Sequence, residues 1–311
     1  MAHNHSHQHS ASKGLTLAFW LNLIFSGIEF SGGIYTNSSA IMADAFHDFM
    51  DALAIGIAVL IEKISGKKRT QNYSYGYKRF SLLSAIIMSV MLLAGASLMI
   101  INAIHSFITP QTVNSTGMFL LAVLGLTING FAFLRIKKSK DKNHHHEDES
   151  EHDDDHSHNH NTKAIMLHLL EDVLGWVAVL IGSVLLYFTG WNWIDPMLAV
   201  GIAIFIGYNA ISNLIDASKV LLQAIPKSVN IQQLSDEIKA IEGIESIHDL
   251  HVWSLDGNFN VGTLHIVIHK TNSHLLETIM QAALQLLKKH HVQHPTLQLE
   301  YSGNECRFMN C

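Results

Sequence analysis

Six long apolar stretches dominate the chain, and each is close to the length that crosses a lipid bilayer. They run over about 15–35, 39–61, 80–103, 114–135, 164–188 and 193–215, near the ~20 residues that a helix needs to cover about 30 Å of hydrocarbon. The composition agrees: of 311 residues, 48% are hydrophobic and only 15% charged. The first stretch follows a polar His-rich tail with no small-residue cleavage site after it, so it reads as a retained helix rather than a signal peptide. After the sixth come about 95 residues of ordinary soluble composition.

Basic residues set the expected orientation. The joints after stretches two and four hold Lys63, Lys67, Lys68, Arg69, Lys78 and Arg79, then Arg135, Lys137, Lys138, Lys140 and Lys142, whereas the joints after one, three and five hold none. Both termini are therefore expected on the cytoplasmic side. The formal net charge of −6 does not describe an acidic surface, because seven acidic residues sit in 147–155. Cys306 and Cys311 fall in the reducing compartment, where a structural disulfide is not expected, and their spacing is looser than that of a zinc knuckle.

The second stretch, "IMADAFHDFMDALA", carries three aspartates and a histidine. Ionisable groups are expensive in hydrocarbon and mark a polar pathway by default. His47 and Asp51 are four apart and share a helix face, as do Asp44 and Asp48. The fifth stretch repeats the first pattern with His168 and Asp172. Two helices each offering one imidazole and one carboxylate are expected to close a four-ligand tetrahedral shell, which suits Zn2+ and not the all-oxygen preferences of Mg2+ or Ca2+. One such pair alone would be compatible with a hydrogen-bonded couple holding a bundle together. The repetition, in a chain with 22 histidines, favours a metal site. Asp44 is placed closest to the pathway, while Asp48, Glu29 and Glu171 suit structural and functional roles equally.

Seven histidines between 144 and 160 alternate with acids in a tract with almost no apolar residue, and "HNHSHQHS" near the start offers four more. Such tracts cannot bury enough surface to fold, and they bind transition metals loosely. They are read as solvated low-complexity segments compatible with gathering metal. The last domain has helix periodicity over 230–241 and 273–290, alternation in "SIHDLHVWSL" and "FNVGTLHIVIH" around a "DGN" turn, and a closing strand "PTLQLEY". With one further short strand near the first helix, this order gives a ferredoxin-like α/β sandwich. His248, His265 and His269 fall near one another on its sheet face, and His294 begins the last strand. A metal site of His248, His265 and His294 is one reading, solvated or structural histidines the other.

These features together, with "YSYGYKRF" at 73–80 before the third stretch and "HDLHVWSL" in the tail, resemble the cation diffusion facilitator family and its zinc-transporting branch. The resemblance runs from about residue 14 to the end. It implies a His-rich tail over 1–13, a six-helix transmembrane domain over 14–216 including a His-rich cytoplasmic loop at 140–162, and a cytoplasmic ferredoxin-like domain for metal binding and dimerisation over 217–311. It implies a homodimer in the bacterial inner membrane, in contact with lipid, that moves Zn2+ out of the cytoplasm in exchange for protons through His47, Asp51, His168 and Asp172. Zn2+ is then both cargo and regulatory ion, with no other cofactor, no catalysis and no nucleic-acid partner. In the tail, His248 and His265 match the family's metal-binding positions, while His294 and Glu300 lie near the third. Ile225-Pro226 departs from the family's frequent Thr-Pro at the domain junction. Zinc needs neutral imidazoles and ionised carboxylates, so metal and protons compete for such a site without any nucleotide-binding loop. A metal sensor or store without vectorial transport, and a membrane metallohydrolase with an open coordination position, are the rival readings.

Overall fold

The computed structural model describes residues 6–65, 69–110, 112–143 and 155–303, with side chains outside 6–18, 58–59, 62–63, 65, 135–143, 155–169 and 272–273. The histidines of the tail and of the 144–160 tract, His168, Cys306 and Cys311 lie outside the described side chains. Long helices occupy all six apolar stretches: α1 (Ser6–Thr36), α2 (Ser39–Ser65), α3 (Phe80–Ile108), α4 (Ser115–Asn143), α5 (Asp155–Thr189) and α6 (Ile194–Leu221). Among the described residues, four segments are long and apolar enough to cross a membrane: Phe80–Ile108, Ser115–Leu134, Leu170–Thr189 and Ile194–Leu221. In α2 the apolar run is interrupted by Asp44, Asp48 and Asp51.

The chain divides into two compact units, Met1–Gly56 with Val90–Ala210 and Ile57–Ser89 with Ile211–Cys311. The first is a helical bundle whose core joins Ile41, Met118, Trp176, Val179 and Leu186 to small residues such as Ala40, Ala103, Ala122 and Ala199. Small residues matter here because lipid is as apolar as leucine, so helices associate through close packing rather than hydrophobic exclusion. Gly125 on α4 lies directly under the Trp176 indole of α5, and Gly95 on α3 directly under the Phe46 ring of α2. Asn37, with a left-handed φ of 53°, turns the chain from α1 into α2.

The second unit contains the C-terminal α/β domain, in the order α7 (Ile231–Lys239), β1 (Ile244–Ser254), β2 (Asn260–Ile268), a 3-10 turn (Lys270–Leu275), α8 (Leu276–Lys289) and β3 (His294–Tyr301). Asn230 caps α7 by accepting the Gln233 N–H at 3.1 Å. At the β1–β2 turn, Asp256 Oδ1 accepts the N–H groups of Asn258 and Phe259, and Gly257 takes φ 93°. Strand order is β1-β2-β3, antiparallel between β1 and β2 and parallel between β2 and β3. Leu264, Ile266 and Ile268 on one sheet face pack against Leu234 and Ile238 of α7 and Ile279, Ala283 and Leu287 of α8. Glu237 ties the two helices together. Its carboxyl is held down to about 2 by hydrogen bonds from Gln233, His290 and Lys289. The expected fourth strand is not among the described residues: β3 returns after α8 to lie beside β2 itself, so three strands form the sheet.

Candidate metal centre

The bundle holds a cavity of about 380 Å3 lined by Asp44 and His47 of α2, Glu171 and Asp172 of α5, and apolar residues of α5 and α6 including Met197, Leu198, Ile202 and Phe205. No Lys or Arg is among its lining residues. His47 Nε2 lies 3.5 Å from Asp51 Oδ2, the pair that helical spacing requires. Glu29, Asp44 and Asp48 are buried, 1%, 6% and 9% exposed.

Among the described residues, the tightest set of metal-ligating atoms lies elsewhere. His248 on β1, His265 on β2 and Glu300 on β3 bring one ligand atom each within 4.8 Å of one another. Neighbouring strands run about 4.8 Å apart, so residues in register on one face are close by construction. His248 is directly opposite His265, with ring centroids 4.9 Å apart. Glu300 is opposite Val267, two positions along the same face from His265's partner Gln298. His265 Nδ1 is 2.8 Å from Glu300 Oε1, His248 Nε2 is 3.5 Å from Oε2, and the Gln298 amide donates to Oε1 at 2.9 Å. Two imidazoles and a carboxylate are a donor set that would suit Zn2+.

This arrangement corrects the expectation that metal function rests on a mid-membrane tetrahedron of His47, Asp51, His168 and Asp172. Among the described residues the only group able to hold a metal is His248, His265 and Glu300, in the C-terminal domain and of His-His-Glu rather than His-Asp-His-Asp composition. Helical i,i+4 spacing guarantees a pair on one helix and says nothing about where a second helix puts its own pair. Sheet register brings three strands' side chains together directly. Asp172 shares the cavity with Asp44 and His47, and the His168 side chain is outside the described set.

His294 is placed at the other end of β3, its ring 5.8 Å from Tyr75 and 6.4 Å from Phe259, and His269 Nδ1 pairs with Thr271 Oγ1 at 3.0 Å. Glu300 takes the third position. The signal for it was the alternation of β3, in which Gln298 and Glu300 share the face opposite Leu297 and Leu299 of the core.

Comparison with known proteins accounts for nearly the whole chain. Residues 15–222 match the cation efflux transmembrane domain, and residues 226–302 match the cytoplasmic domain of cation efflux proteins. A cadmium, cobalt and zinc/H(+)-K(+) antiporter of Bacillus velezensis is 30% identical over 98% of this chain and 93% of its own length. The metal cation efflux system protein CzcD of Cupriavidus metallidurans is 30% identical over 97% of this chain and 91% of its own. The zinc transporter ZitB of Pectobacterium atrosepticum is 31% identical over 99% and 92%. With an apolar helical domain, a C-terminal α/β domain and both family matches in sequence order, the chain belongs to the cation diffusion facilitator family, in its zinc-transporting branch, as an integral membrane transporter and not an enzyme.

Proposed function

We propose that the protein exports Zn2+ from the cytoplasm in exchange for protons, as a homodimer in a bacterial inner membrane. The observation that carries this reading is the pairing of the two family domains in one chain, with relatives named for zinc and for exchange with H+ covering nearly its full length. In this reading α1 to α6 all cross the membrane and both termini are cytoplasmic, a topology supported by the basic joints after α2 and α4.

The cavity beside Asp44, His47 and Asp172 is the cation's passage through the bundle. Its carboxylates and imidazole attract a cation in a site of low dielectric, and each can carry a proton in the cation's absence. A cation passing these groups competes with the protons they carry, which is the condition for exchange. The His248, His265 and Glu300 cluster is the regulatory zinc site, and the C-terminal domain is the dimer contact.

Purified protein in liposomes, with an acidic interior opposite its cytoplasmic face, is expected to accumulate Zn2+ inside as protons leave. Asp172→Ala is expected to lose most of that flux while still folding. Absence of zinc uptake by the wild type would overturn the function. Uphill accumulation persisting after the proton gradient is collapsed would overturn the proton exchange alone.

A further inference from the structure

We propose that Asp195, the second residue of α6, is a positioning residue for transport, fixing the N-terminus of α2 against α6 and so setting the walls of the cavity that α2 and α6 share. The inference rests on the reading of that cavity as the cation's passage.

A helix begins with backbone N–H groups that have no partner within the helix. At the start of α2 these are satisfied from two directions. Ser38 acts locally, its Oγ accepting the Ile41 N–H at 3.2 Å. The other bonds come from Asp195, 155 to 157 residues away. Asp195 Oδ2 accepts the Ser39 N–H at 2.6 Å, and Oδ1 accepts the Ala40 N–H at 3.3 Å and the Ser38 hydroxyl at 2.5 Å. Asp195 is 1% exposed and Ser38 fully buried. A carboxylate at a helix N-terminus is favoured both by these donors and by the helix dipole. A Ser, Thr or Asp beside the helix supplies the same capping without joining two helices. The use of a residue from α6 therefore does something a local cap does not.

What it does follows from the direction of α2. Asp44 and His47 lie five and eight residues beyond Ser39, about 8 and 12 Å along the helix axis. Met197, Leu198 and Ile202 of α6, which face the same cavity, lie two to seven residues beyond Asp195. Both walls thus start from one buried set of hydrogen bonds. A shift of α2 relative to α6 at that point carries Asp44 and His47 with it. Displacing by about 1 Å the groups that a passing cation must meet is a change of the kind that costs up to about 100-fold in rate.

The test separates capping from positioning. Zinc uptake and thermal stability are measured on the full-length protein in liposomes for Asp195→Ala, Asp195→Asn and the double variant Ser38→Asp/Asp195→Ala. The double variant returns a capping carboxylate to α2 itself but leaves α6 untied. The expected result is uptake at limiting zinc slowed about 10-fold or more in Asp195→Ala and equally in the double variant, through a raised half-saturating concentration with the maximal rate less affected. The half-saturating concentration then follows the presence of a carboxyl on α6, whatever the melting temperature. A half-saturating concentration that instead follows melting temperature across the three variants, or that stays at the wild-type value in all of them, overturns the proposal. Loss of zinc uptake by the wild type would be a failure of the proposed function, seen before any variant is compared.

Discussion

Asp249 has a left-handed backbone, φ 51°, in the middle of β1. It sits in a register shift between His248 and His251, which pair with His265 and Thr263 of β2. His265 and Thr263 are two apart on β2 and share a face, so the bulge places His248 and His251 on that one face although they are three apart in sequence. Strict alternation in "SIHDLHVWSL" puts them on opposite faces. The strand was therefore legible in the sequence while the grouping of its histidines was not, because one inserted residue reverses the facing of everything beyond it. Glycine adopts left-handed φ freely and a β-branched residue does not. Asp249→Gly is expected to keep zinc binding by the C-terminal domain, and Asp249→Val to weaken it about 10-fold or more by re-aiming His248. Isothermal titration of the purified full-length protein measures both; equal affinities would show that the bulge does not aim the ligand.

At the scale of helices and strands, apolar runs of the right length located α1 to α6 and periodicity located α7, α8 and the three strands. Contacts between helices were not legible, since a run such as "LLAVLGLTING" does not say which residue meets which neighbour. The same limit underlies the corrected metal site: two i,i+4 pairs were visible, their relation across helices was not. Glycine supplies part of the missing information. Any side chain at Gly125 would overlap the Trp176 indole, and any at Gly95 the Phe46 ring, whereas Gly130 on α4 has nothing within 4 Å of an added Cβ. Trp176 stands one turn beyond Asp172 and Phe46 immediately before His47, so both seats hold the helices that carry the cavity's ionisable residues. Overpacking a well-filled site costs about 1–3 kcal/mol. Gly95→Ala and Gly125→Ala are each expected to destabilise the protein by about that amount, while Gly130→Ala is neutral or stabilising by up to about 1 kcal/mol from helix propensity. Reversible unfolding in detergent measures the difference. Three equal effects would mean the aromatic seats are not tightly packed.

On the scale of the whole molecule, the passage proposed in the bundle and the cluster on the sheet are built from different residues and are therefore separable. The cluster joins β1, β2 and β3 at one point, so its occupancy stabilises the fold of the C-terminal domain by mass action. At free zinc about 100 times the dissociation constant, that gain is about 2.7 kcal/mol, or roughly 100-fold slower exchange of amides that open with the domain. Hydrogen exchange followed by mass spectrometry on the full-length protein is therefore expected to show β1–β3 amides slowed by zinc and released by a chelator. Glu300→Ala is expected to abolish this protection, and Asp172→Ala to leave it intact while impairing flux. Acid should act in the same direction as chelation, because binding needs both imidazoles unprotonated and the carboxylate ionised. Protection that persists in Glu300→Ala would mean that zinc on the sheet is not held by these three side chains, and protection that disappears in Asp172→Ala would mean that bundle and sheet are not independent.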